Sequence, residues 1–458
     1  MRACGEHSET GDPVIQLANG AKIRGVVQPT PWGHAVNSFK GIRYGEPPVG
    51  ERRWKQSALA PMVSDIDATE YGHACFGNHE KDYGHSTGPV VESEDCLFIN
   101  VITPLGAKSS SNLPVMVWIH GGSFMSGRSD VYDGSHFVTD VTGRHTSIFV
   151  SFNYRLGVLG FLQNDDILNT TDGANFGLRD HELAFQRIKT YIREFGGNPK
   201  TITVVGHEAG ATSIVHHLVS RQGNQTWFQR AIITDFLHIP VQLMRSRKEL
   251  TYLTSDLATL AGCNATVSQA DNMSCLRQAK ASTLMSYKDF FPPIVDDKYL
   301  MVPPLPSILL GAFGHVPMMV GTSTVIGLSL VSPDETDFGA ALASQVPLTA
   351  NETKHAVELY LSPDKPVSTS VAEAYEDERF ICASELLSLS AGNSSYRFRI
   401  DAGVVETIDL MFKHKSISEN LHMASEASAH ILRAWANFVQ SGNPNGNESN
   451  AALSIPWS

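Results

Sequence analysis

The segment that most constrains this chain runs from Ile202 to Ala211, Ile-Thr-Val-Val-Gly-His-Glu-Ala-Gly-Ala. Ile202–Val205 has the length and composition of a buried strand, and a helix-like pattern covers Ala211–Val219. Two glycines framing three residues let the backbone reverse sharply from strand to helix. The same alternation recurs around this turn. Pro114–Ile119 and Ser147–Tyr154 are apolar runs of strand length, and Ala231–Ile233 starts another strand. Leu178–Phe195 places Leu183, Ala184, Ile188 and Ile192 on one helical stripe and stops at Gly196-Gly197-Asn198-Pro199. This βαβ rhythm predicts an α/β fold, with a mostly parallel sheet covered by helices on both faces. The second half is less regular, with helical patches at Lys248–Ala261 and Ala424–Val439 and a proline-rich stretch at Pro292–Pro306. No internal repeat or low-complexity linker divides the 458 residues, so one large domain with an excursion is the simpler reading.

Charge removes several partner classes. Lys and Arg total 35 against 47 Asp and Glu, a net charge of −12. Nucleic acid and anionic lipid both need a basic footprint, so neither is expected as a partner. No stretch reaches the ~18 apolar residues of a membrane span. The first twenty residues lack an apolar signal core, so no signal peptide is visible, which implies a trimmed chain, a mature form or an incomplete gene model. No G-x-G-x-x-G follows a strand and no G-x-x-x-x-G-K-[ST] occurs, so no nucleotide cofactor is implied. His181-Glu182 begins like H-E-x-x-H, but Phe185 stands where the second histidine must be.

The cysteines and sequons point to an oxidising compartment. None of the six cysteines forms a C-x-x-C pair, which removes the main support for zinc-ribbon and thioredoxin-type readings. The sequence-near pairs Cys75/Cys96 and Cys263/Cys275 suit closed disulfide loops. The first would stabilise the fold by roughly 3 kcal/mol. Seven N-x-[ST] sequons, at Asn169, Asn224, Asn264, Asn272, Asn351, Asn393 and Asn447, predict a secreted or cell-surface glycoprotein.

The strand-to-helix turn resembles the G-x-S-x-G nucleophile elbow of α/β-hydrolases, and other motifs narrow the likeness. Phe39-x-Gly41-Ile42-x-Tyr44-x-x-Pro47-Pro48-x-Gly50-x-x-Arg53 resembles the N-terminal signature of the type-B carboxylesterase/cholinesterase family. Ser93–Val101 resembles its E-D-C-L-x-L-N motif, and Val117-Trp118-Ile119-His120-Gly121-Gly122 its oxyanion strand. Asn153–Gly157, Asn175–Asp180 and Phe195–Pro199 follow in the same order and spacing. The resemblance covers residues 14–458, with 1–13 as an N-terminal extension, and implies the α/β-hydrolase fold. It also implies structural ion pairs Arg53–Glu94 and Arg155–Asp180. His120 and His207 are read as structural.

The family's chemistry needs a hydroxyl to attack, an imidazole to carry the proton and a carboxylate to orient that imidazole. The matching positions here hold Glu208, Glu406 and Ile326. Backbone donors for an oxyanion are expected from Gly121, Gly122 and Ala209. Glu208, Glu406 and Asp235 form an expected acid cluster. A shared proton between the two glutamates is the favoured arrangement, against a salt bridge or a hard cation bound by oxygens. No metal or other cofactor is assigned. Phe76–Asp95 contains no Trp, so the family's aromatic choline site is not expected either.

Two departures concern the C-terminal part. The spacing from Ile326 to Glu406 is shorter than the family's, which implies a trimmed set of helices around the site. The chain stops before the family's last helix, leaving Cys382 without its usual partner: free, bonded to Cys4, or a sign of a missing segment. The Ala424–Val439 helix is expected to offer part of a homodimer face. The resemblance to non-catalytic members, such as neuroligin-like and neurotactin-like proteins, implies an extracellular protein-recognition or adhesion domain. The competing readings are a weak ester hydrolase using the retained oxyanion donors, and a small-molecule-binding protein.

Overall fold

The computed structural model describes residues 11–30, 33–79, 90–139, 147–223, 225–236, 247–263, 269–287, 289–323, 331–332, 334–345, 348–400 and 422–446. Nine strands form its main sheet: β1 (Val26–Pro29), β2 (Ala35–Arg43), β3 (Phe98–Pro104), β4 (Leu113–Ile119), β5 (Ile148–Phe152), β6 (Gly197–His207), β7 (Arg230–Thr234), β8 (Met318–Ser323) and β9 (Ser395–Ile400). Their spatial order is β9-β8-β7-β6-β4-β5-β3-β2-β1. Pairing is parallel from β9 through β4 to β5 and antiparallel among β5, β3, β2 and β1. This is the mostly parallel sheet that the strand–helix alternation predicts, with an antiparallel flank built from the N-terminal hairpins.

Side chains along the central strands alternate between two cores, as the period of two requires. Val115, Val117 and Ile119 of β4 enter the larger core, while Met116 and Trp118 enter the smaller one. In β7, Ala231 and Ile233 take the first side and Ile232 the second. Both faces of the central strands are therefore dry, which explains why the strands read as continuous apolar runs. Helices α1 (Phe176–Tyr191) and α2 (Ala209–Val219) pack on the larger core. Helices α3 (Arg247–Leu260) and α4 (Gln269–Gln278) belong to the irregular second half.

Helix α5 (His422–Ser441) covers the opposite face. Ala434, Trp435, Phe438 and Val439 are buried in the smaller core, and Trp435 stacks on Phe137. The apolar side of the described part of α5 lies against its own sheet, leaving polar His430, Arg433 and Gln440 outward. Among the described residues, no helix is long and apolar enough to cross a membrane.

Candidate functional site at the strand–helix elbow

Strand β6 ends at His207 and α2 begins at Ala209, so Glu208 alone makes the reversal. Its backbone sits at φ 51°, ψ −113°, outside the regions that side-chain-bearing residues prefer. Close approaches on either side allow only glycine. A Cβ on Gly206 would lie 2.4 Å from the Gly210 carbonyl carbon, and one on Gly210 would lie 2.1 Å from the Ile119 carbonyl oxygen. The Glu208 N–H donates to the Thr234 carbonyl at 3.0 Å, and the Thr212 N–H donates to the Glu208 carbonyl at 2.8 Å. Backbone contacts thus hold the elbow whatever side chain it carries.

Facing the elbow is the loop that leaves β4. Gly122, Ser123 and Phe124 have φ values of 106°, 54° and 59°, a run that can turn successive amides into one concavity. The loop is closed by its own bonds, with Met125 N–H and Ser126 N–H both donating to the Gly122 carbonyl at 2.9 Å. The Glu208 carboxylate lies in this concavity. Its Oε2 accepts from the Gly122 and Ser123 amides, each at 2.7 Å, and its Oε1 accepts from the Ser123 hydroxyl at 2.9 Å. All three distances suit hydrogen bonds to an ionised acceptor.

The donors on the carboxylate are therefore one residue further along the loop than the Gly121–Gly122 pair expected from sequence. Gly121 supplies room instead. A Cβ there would approach the His207 carbonyl to 2.8 Å and Glu208 Oε2 to 3.2 Å. Ala209 opens α2 directly after Glu208. Ser123 was missed by sequence reasoning; the available signal was a side chain directly after Gly121-Gly122.

Asp235 does not share the donors of Glu208. It is fully buried at φ 53°, and its Oδ1 accepts from the Ser323 amide at 2.6 Å and the Ser323 hydroxyl at 2.7 Å. Its Oδ2 lies 3.3 Å from His207 Nε2. Asp235 thereby ties β7 to β8 and lies beside the end of β6. Glu406 and Ile326 lie outside the described residues. Among the described residues, no group of three or more His, Cys, Asp or Glu could hold a metal ion.

Behind the concavity lies a buried array that the sequence did not disclose. The His120 ring stacks on Tyr154 at 4.3 Å, its Nδ1 is 2.9 Å from the Gly121 carbonyl, and Tyr154 Oη donates to the His120 carbonyl at 2.9 Å. Burial, then the Glu208 charge, push the Tyr154 phenol well above its ordinary value, so it stays protonated. His181 Nδ1 lies 3.2 Å from His217 Nε2, which places His181 in the interior of the fold. Burial, then His217 and His120, hold the His181 imidazole well below its ordinary value.

The scaffold pairs form as the resemblance implied. Arg53 Nε donates to Glu94 at 2.7 Å, and Arg155 Nε and Nη2 donate to Asp180, each at 2.7 Å. Cys75–Cys96 and Cys263–Cys275 are disulfides, and Cys382 is an exposed free thiol. Of the seven sequons, Asn169, Asn351 and Asn393 are exposed. Asn272 is only 6% exposed within α4, which leaves no space for a glycan and corrects that expectation. Asn224, Asn264 and Asn447 lie outside the described residues.

Comparison with known proteins gives a consistent picture. Residues 11–380 match the protein-family model described as Carboxylesterase family. The chain is 29% identical over 503 residues to a cholinesterase of Mus musculus, covering 97% of this chain and 82% of that protein. It is 33% identical over 342 residues to a juvenile hormone esterase of Tribolium castaneum, covering 70% of this chain and 56% of that protein. Among solved structures, Aspergillus niger EstA matches with a TM-score of 0.83 and 27% identity, over 98% of this chain and 92% of that one. The mostly parallel sheet with helices on both faces is the α/β-hydrolase fold.

Proposed function

Because this chain belongs to the carboxylesterase family, we propose that it is a member that no longer hydrolyses esters and serves as an extracellular recognition domain. One observation carries the loss of hydrolysis: the elbow holds Glu208, and its carboxylate occupies the amides of Gly122 and Ser123. A carboxylate attacking an ester would form an anhydride, not a stable acyl-enzyme. The same carboxylate also places a negative charge where an ester's oxyanion would have to develop. Losing a single oxyanion donor costs an enzyme about 10²–10³ in rate, and here two amides are already engaged. Glu406 stands where the family has its imidazole and Ile326 where it has the acid that orients that imidazole, so neither role is filled at its own position.

Recognition outside the cell is supported by two disulfides and by three exposed sequons. The likeness to non-catalytic family members suggests a protein as the partner. The test is direct. Purified protein is incubated with p-nitrophenyl acetate and with an organophosphate probe. The expected result is hydrolysis no faster than a heat-denatured control and no covalent label. Stoichiometric labelling with turnover above that control would overturn the reading. A cell-surface pull-down with the same protein then tests recognition, which predicts capture of a specific surface protein.

A further inference from the structure

Arg187 of α1 is a buried cation without an acid beside it. It is 5% exposed, its Nη2 donates to the Tyr44 and Ala60 carbonyls, and its Nε is buried with no hydrogen-bond partner among the described residues. Burial holds the guanidinium below its ordinary value, and Tyr191, whose ring centre lies 5.2 Å away, is the group that acts in the other direction. The other buried arginines of the scaffold face carboxylates, Arg53 at Glu94 and Arg155 at Asp180. An arginine stays ionised inside a protein, so a full positive charge is enclosed here by neutral dipoles. Leaving such a charge uncompensated is costly.

Arg187 also lines an internal cavity of about 20 Å³ between α1 and the antiparallel strands β2 and β3. Ile42, Ile99, Val101 and Ile188 form much of its wall, which is apolar except for Arg187 and Tyr191. The register between β2 and β3 slips between Phe39 and Ile42, where the Gly41 N–H donates to Asn100 Oδ1 at 2.9 Å. Such a bulge bends the strand, here at the cavity wall. The volume is a little more than the ~10–15 Å³ that one water requires, and it leaves no room for a carboxylate, nitrate or phosphate. A buried water normally has about two to four polar partners; in this cavity it would turn its own hydrogens onto aliphatic walls. A monoatomic anion has only acceptor capacity and brings the charge that Arg187 lacks.

We propose that the cavity beside Arg187 is a binding site for a single halide ion, chloride in ordinary solution, which accepts the hydrogen bond of Arg187 Nε and ties α1 to the flank of the sheet. The site does not depend on the elbow, so ester turnover by the wild type would leave it standing.

The test is the thermal unfolding midpoint of the full chain in sodium chloride or bromide against sodium gluconate at the same ionic strength. Gluconate is too large for the cavity and gives the baseline for screening of surface charge. Either halide should raise the wild-type midpoint saturably, by about 1–2 °C at roughly ten times Kd. Arg187→Met, which keeps the length of the side chain without its charge, should show no halide-specific rise. A second measurement needs no variant: wild-type crystals soaked in sodium bromide should give a bromine anomalous peak in the cavity beside Arg187 Nε. No halide-specific rise in the wild type, an equal rise in Arg187→Met, or a cavity holding only water or nothing at saturating bromide would overturn the proposal. If Arg187→Met does not fold, the bromide peak decides.

Discussion

Arg155 and Asp180 offer a perturbation whose size follows from the geometry. Arg155 follows β5, directly after Tyr154, whose hydroxyl supports the first residue of the Gly122 loop. Asp180 lies in α1. Arg155 is 3% exposed and Asp180 fully buried. The carboxylate accepts from Arg155 Nε, Nη2 and the Arg155 backbone N–H, the last at 3.1 Å. The guanidinium also donates to the Lys55 carbonyl at 2.9 Å and lies over the Phe176 ring. Asp180→Leu strands a buried cation, and Arg155→Met strands a buried anion. Removing one partner of such a pair costs about 3–5 kcal/mol, whereas replacing both by apolar groups is often close to neutral. With unfolding entropy of ~2.1 cal/mol/K per residue, the 458 residues give about 1 kcal/mol/K. Each single variant should therefore lower the midpoint by roughly 3–5 °C. The double variant Arg155→Met/Asp180→Leu should recover most of that loss. Denaturant titration and calorimetry on the four proteins give the coupling directly. Single variants costing less than about 1 kcal/mol, or a double variant whose loss is the sum of the singles, would show that the pair is not a coupled, desolvated ion pair.

Two further outcomes follow from buried groups. Since burial depresses His181 in the folded state, the unfolded chain binds the extra proton below pH ~6.5, and stability falls as pH drops at up to about 1.4 kcal/mol per unit. His181→Gln should flatten this acid-side slope in urea unfolding between pH 7.5 and 5.5, and an unchanged slope would exclude His181 as its source. For the sequons, glycopeptide mapping of protein expressed through a secretory route should find sugar at Asn169, Asn351 and Asn393 and none at Asn272. Occupancy at Asn272 would mean that α4 does not pack as described.

How much was legible in the sequence depended on whether the signal was local. The βαβ framework was readable because strands dry on both faces must be apolar throughout, as in Pro114–Ile119 and Ala231–Ile233. The helix over Leu178–Phe195 was readable from its stripe, although it spans Phe176–Tyr191. The elbow was readable because glycine is the only residue that fits at 206 and 210. What escaped were relations across space. The donors facing Glu208 depended on the path of the loop after Gly121. Asp235 was expected beside Glu208, yet Ser323, distant in sequence, claims one of its oxygens. Asn272 carries a valid sequon but sits on the inner side of its helix.

The residue types therefore determined by themselves the α/β framework, the sharp turn at position 208 and the presence of a carboxylate there, because strand periodicity and glycine sterics act over a few neighbouring residues. Only the tertiary structure decided where that carboxylate points. Its partners Gly122 and Ser123 are more than eighty positions away in the chain, and they reach it because β4 and β6 pair side by side and release their loops at the same edge of the sheet.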